Sequence, residues 1–232
     1  MIDPASILST TWTRVVVQFF VVFGGVYGAF WVEGYRDDLE RAERTQEVIL
    51  ALGQDLQDFV EVSHQFNTQM RTGLDDWNNA RTRGETPPPF VFRIFGAEVP
   101  PLTTWDVVSQ SELASLLDPA LLYELGFFYN ESQGYGKRYV RYAANTEEKI
   151  LPVREMQPVE QVRAFYKKDM SGLKPEFAAN MRRLSELHAM SSALTEWATC
   201  LKQALAVPDP RAPNCRYDMG VVQMFMDRDS SL

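Results

Sequence analysis

Residues 15–32 read VVVQFFVVFGGVYGAFWV, a run without charge in which Gln18 is the one amide side chain. A bilayer core of roughly 30 Å takes about 20 apolar residues as a helix, so this run is just long enough to span it. Trp12 and Arg14 stand before the run, and Trp31, Glu33, Tyr35 and Arg36 close it. Aromatic rings at both ends with charges just outside are the anchors of a spanning helix. A secretory signal would instead show a basic start and a small-x-small cleavage site. The start here, MIDPASILSTTWTR, holds Asp3 and Arg14, and no Ala-x-Ala follows Val32. The charged, helix-favouring stretch EGYRDDLERAERTQ follows directly. The expected organisation is a short tail at 1–14, a retained transmembrane helix at 15–32 and an extrinsic domain at 33–232.

The extrinsic part is long enough for one domain with a proper core. A net charge of −8 argues against nucleic acid and against tight docking on anionic lipid. An aromatic content of 12% points to a folded chain rather than a disordered tail.

Two signals pull the topology in opposite directions. Arg14 precedes the anchor while Arg36, Arg41 and Arg44 follow it, which by the positive-inside rule favours a cytoplasmic domain. Those arginines are interleaved with Glu33, Asp37, Asp38, Glu40 and Glu43, and the rule weakens for long translocated domains. Cys200 and Cys215, the only cysteines, bracket the Pro-rich LKQALAVPDPRAPN and suit a disulfide staple. Such bonds persist in an oxidising compartment, so the expected side is the periplasm of a bacterial inner membrane. Two unlinked thiols are the alternative.

Past the anchor, Ile49, Leu52, Leu56, Phe59, Phe66, Met70 and Trp77 recur at alternating threes and fours, with Ser63 and Gly73 in register. That spacing marks one face of a long helix, packed in a bundle or coiled with a partner. Gly53 or Gly73 is a candidate break. The stretch RTRGETPPP ends the helix, because successive prolines cannot continue it. FVFRIFGAEV alternates loosely and is the one candidate strand or hairpin, closed by Pro100 and Pro101. Thr103 or Thr104 caps a turn at Trp105, Ser111 and Glu112 open another, and Asp118-Pro119 caps a longer helix. Gly134 and Gly136 are candidate interruptions of that helix, and Pro152 and Pro158 mark a break. A last helix over about 175–205 carries Phe177, Met181, Leu184, Leu187, Met190, Leu194 and Trp197 on one face. After Cys215 the patch MGVVQMFM is apolar enough to pack. The expected fold is mainly α: one N-terminal transmembrane helix, then an extrinsic helical bundle with a small β element.

The order of these features resembles a family of uncharacterised bacterial single-pass membrane proteins. Its anchor ends in a pattern like A-x-x-V-[DE]-x-[WY]-[RN]-[DE], matched by Ala29, Val32, Glu33, Tyr35, Arg36 and Asp37. The later block TTWDVVSQSELASLLDPALLYELGFFY resembles that family's pattern T-x-W…S-x-x-L-x-L-[IL]-x-[DN]-x-x-L…Y. The resemblance implies a helical extracytoplasmic domain on an inner-membrane anchor and carries over no activity.

Chemistry is sparse. His64 and His188 lack a second ligand-type residue with metal-site spacing, apart from Glu61 three before His64. Gly134 to Arg138, GYGKR, lacks the Gly-Lys-Ser/Thr ending of a phosphate loop. Asp75-Asp76 and Glu147-Glu148 suit a solvated face better than a carboxylate pair built for glycoside cleavage. No metal and no cofactor is expected, and the chain is not expected to be an enzyme.

The anchor offers more. Gly24 and Gly28 form G-x-x-x-G, Gly25 and Ala29 repeat the spacing, and Gln18 can bond across a helix pair. Small residues four apart let helices approach closely in lipid, although a plain anchor also contains glycines. Phe19, Phe20, Phe23, Phe30 and Trp31 face lipid by default, with contact to pigment as the alternative. The expected function is a non-catalytic accessory or scaffold subunit of a larger bacterial membrane complex, with respiratory and photosynthetic assemblies as candidate hosts. Its expected partners are the bilayer, other integral subunits and a second copy through helix–helix association. A periplasmic ligand-binding or sensor module that signals through a partner is the alternative.

Overall fold

The computed structural model describes residues 4–94, 103–110, 112–206 and 215; of the side chains in 4–29, only those of Phe23 and Tyr27 are described. Helix α1 covers Pro4–Thr82, α2 Thr103–Gln110, α3 Pro119–Lys149, α4 Leu151–Arg154, α5 Pro158–Phe165 and α6 Pro175–Ala206, with a 3-10 turn at Glu112–Leu116. The chain divides into two compact units, Met1–Glu47 and Val48–Leu232.

In the first unit the described side chains of α1 are exposed almost throughout. Phe23 stacks on Tyr27 at 5.9 Å and Trp31 on Tyr35 at 6.5 Å, each one helical turn apart. Arg36 and Arg44 bracket Glu40 at 3.3 and 3.8 Å, and such exposed pairs add only tenths of a kcal/mol each. Among the described residues no helix is long and apolar enough to cross a membrane. Of the run 15–32, only Phe23, Tyr27 and 30–32 have described side chains, so most of the expected anchor lies outside them. Gln18, Gly24, Gly25, Gly28 and Ala29 stand within the bounds of α1, but the packing expected of them lies outside the described residues too.

The second unit is a helical bundle built in three stacked layers. One layer joins Leu52 and Leu56 of α1, Leu125 and Phe128 of α3, and Leu194, Trp197 and Leu201 of α6. The middle layer joins Met70, Tyr139, Tyr142, Leu184 and Leu187. The third joins Ile150, Phe165, Tyr166, Leu173, Phe177 and Met181, with Trp77 against it. From the first layer to the middle one α1 and α3 advance together while α6 counts down, and the third layer continues the order with Trp77, Ile150 just past α3, and Met181 and Phe177. The two helices therefore run parallel, and α6 is antiparallel to both.

The expected seam of α1 is the face it buries: Leu52, Leu56 and Met70 are fully covered and Ser63 nearly so. Neither Gly53 nor Gly73 breaks α1, and Gly134 and Gly136 lie inside a continuous α3. Gly73 has a packing reason, since a Cβ there would overlap the Phe90 ring. After Thr82 the chain turns at Gly84, whose φ of 79° suits a residue without a side chain. Asp118 caps α3 by accepting from the backbone N–H of Ala120 and Leu121 at 2.9 and 3.2 Å.

The small β element is corrected. Among the described residues there is no strand, only an isolated bridge between Tyr166 and Leu173. Residues 90–94 lie across α3 instead, and 95–102 are outside the described residues. The Phe92 and Ile94 N–H groups donate to the Tyr142 and Tyr139 hydroxyls at 3.3 and 2.7 Å. Backbone donors met by side chains need no partner strand.

Candidate functional site

Cys200 near the end of α6 is disulfide-bonded to Cys215, with Cα atoms 5.7 Å apart. The Cys215 carbonyl also accepts from the indole N–H of Trp197 at 2.8 Å, so both bonds tie this point of the chain to α6. The Pro-rich stretch between them and the MGVVQMFM patch are outside the described residues.

The buried polar groups of the bundle are mostly paired. Asn180, 1% exposed, accepts from the Asn145 amide at 2.8 Å and donates to the Thr146 hydroxyl at 3.3 Å. The Tyr129 hydroxyl donates to the Asp55 carboxylate at 2.7 Å. Burial, and then the charge and hydrogen bond of Asp55, hold that phenol well above its ordinary range. Burial also pushes Tyr135 up to about 12. These phenols stay neutral at any physiological pH and act as packing and hydrogen-bonding groups.

Two atoms break the pattern. Asn67 donates to Thr195 at 3.2 Å, but its buried amide oxygen has no partner among the described residues. The Trp77 indole N–H is buried and likewise unpartnered. Other atoms of the Trp77 side chain line a cleft.

That cleft, about 410 Å³, opens between the end of α1, the 171–173 turn and α6. Leu74, Trp77, Leu173 and Met181 form its apolar walls, and Arg81, Arg182, Ser171 and Ser185 bring polar groups. Arg81 sits 5.0 Å above the Tyr166 ring and donates to the Glu85 carbonyl at 3.2 Å. Tyr166 is fixed in turn by donating to the Pro87 carbonyl at 2.6 Å. A second cleft of about 510 Å³ lies between α3 and α6, where Arg138, Arg141 and Arg183 meet Glu186, Tyr142 and Met190. There Arg138 donates to the Met190 sulfur at 3.2 Å and Arg141 to the Lys137 carbonyl at 3.4 Å.

The sequence candidates for chemistry do not converge on either cleft. His64 is exposed on α1 and His188 half-buried on α6. Glu147 pairs with Arg93 at 2.8 Å, Asp75 and Asp76 are exposed, and GYGKR is helical rather than a loop. Among the described residues no group of three or more His, Cys, Asp or Glu is arranged to hold a metal ion. Sequence reasoning missed both clefts, because their arginines are spaced as ordinary helix-surface charges. Trp77 looked like one more seam residue.

No family model, curated protein or solved structure matches the chain.

Proposed function

We propose that this protein is a membrane-anchored, non-catalytic accessory subunit that holds a helical domain at an extracytoplasmic membrane face for docking within a larger assembly. One observation carries the reading. Phe23, Tyr27, Phe30, Trp31, Val32 and Tyr35 of α1 are between 49% and 78% exposed, alongside a run with no charge. Large apolar side chains exposed together along one stretch of helix suit contact with lipid or another protein. The aromatic pairs Phe23–Tyr27 and Trp31–Tyr35, followed at once by the Arg36–Glu40 pair, have the order of an apolar core, an aromatic belt and a charged exit. The Cys200–Cys215 disulfide supports an oxidising compartment for the domain.

The test is biochemical. Native membranes are washed with alkaline carbonate, solubilised in mild detergent, and the chain is pulled down with its companions. Retention in the washed membrane and recovery of other subunits at a fixed ratio is the expected result. Recovery in the aqueous wash, or alone from detergent, would remove the anchored-subunit reading. Gly24→Ile and Gly28→Ile are expected to leave insertion intact and reduce co-purification several-fold, since close helix approach needs small residues.

A further inference from the structure

The cleft beside Trp77 combines features that a surface dent lacks. Its walls are apolar, and its volume of about 410 Å³ lies in the range that accepts a small molecule, roughly 300–1,000 Å³. Arg81 and Arg182 both line it, and neither makes an ion pair among the described residues. Arg81 is held by an aromatic ring and a carbonyl rather than a carboxylate, so its orientation is set while its charge stays uncompensated. No acidic side chain lines the cleft among the described residues. The larger cleft differs in having Glu186 among its arginines.

We propose that this cleft binds a small apolar carboxylate: its hydrocarbon body against Leu74, Trp77, Leu173 and Met181, its head at the Arg81 and Arg182 guanidiniums. The planar two-oxygen head matches the guanidinium fork. The inference is independent of the anchored-subunit reading, because every residue it uses belongs to the Val48–Leu232 unit.

The test uses the full-length chain in nonionic detergent with its tryptophans 15N-labelled, the Trp77 indole signal being assigned by its loss in Trp77→Phe. The probes are 3-phenylpropanoate and hexanoate, with 3-phenylpropanol as the uncharged control. Both carboxylates are expected to shift the Trp77 Nε1–H signal saturably. The Trp197 signal, whose N–H is committed to the Cys215 carbonyl, should stay in place. Arg182 is exposed, so Arg182→Gln should fold normally and weaken carboxylate binding about tenfold, the loss expected of one charge-assisted hydrogen bond. An unmoved Trp77 signal with both carboxylates would overturn the proposal. So would an equal response to 3-phenylpropanol, which would mean apolar partitioning without recognition of the head, or unchanged affinity in Arg182→Gln.

Discussion

Single residues in this bundle carry unequal weight, and two glycines show it. Gly53 and Gly73 both lie inside α1, yet a Cβ at Gly53 meets nothing within 4 Å while one at Gly73 overlaps the Phe90 ring. Gly53→Ala is therefore expected to raise stability, by up to about 1 kcal/mol of helix propensity. Gly73→Ala gains the same propensity but forces Phe90 away, and overpacking of this sort costs about 1–3 kcal/mol. Urea unfolding should move the two midpoints in opposite directions. Tyr129 sets a pH dependence. Burial and Asp55 raise its folded-state pKa, so its contribution is fully present below the unfolded-state value near 10 and is lost as pH rises above it. Stability should fall as pH rises above about 10. Tyr129→Phe should be less stable at neutral pH by about 1 kcal/mol and show a shallower alkaline decline.

Elements were legible where a single period runs long. The threes and fours through Leu52, Leu56 and Met70, and again through Met181, Leu184 and Leu187, identify the faces that α1 and α6 bury. Asp118-Pro119 marks the start of α3 correctly because the cap is local chemistry that tertiary packing does not override. Residues 90–94 misled for the opposite reason. Their alternation is real, but Phe92 faces the core while Tyr139 and Tyr142 satisfy the backbone, a long-range arrangement with no local signature. The clefts were illegible on the same grounds, since the Trp77 cleft joins residues from α1, a turn and α6. The end of α6 carries its own expectation. The disulfide closes a short loop, for which chain entropy gives about 3 kcal/mol. Reduction, or Cys200→Ser with Cys215→Ser, should lower the thermal midpoint by several degrees and expose Trp197, read as a red shift in its emission.

At the scale of the molecule, the two compact units predict separable behaviour. A fragment of residues 48–232 holds all three core layers and is expected to fold alone, with a cooperative thermal transition and a helical circular dichroism spectrum. A broad, non-cooperative melt would mean that the bundle needs the first unit. The parallel course of α1 and α3 has a kinetic consequence. In an up-and-down bundle each helix meets its sequence neighbour through a short loop, and such local contacts form fast. Here α3 starts at the layer where α1 enters the bundle rather than where α1 ends, so no short loop joins the two, and residues 90–94 settle only on tyrosines some fifty positions later. The loop must close before those contacts repay it. This protein should therefore reach its native state more slowly than its helical content suggests, with α6 arriving last to cover a seam that stays open during synthesis.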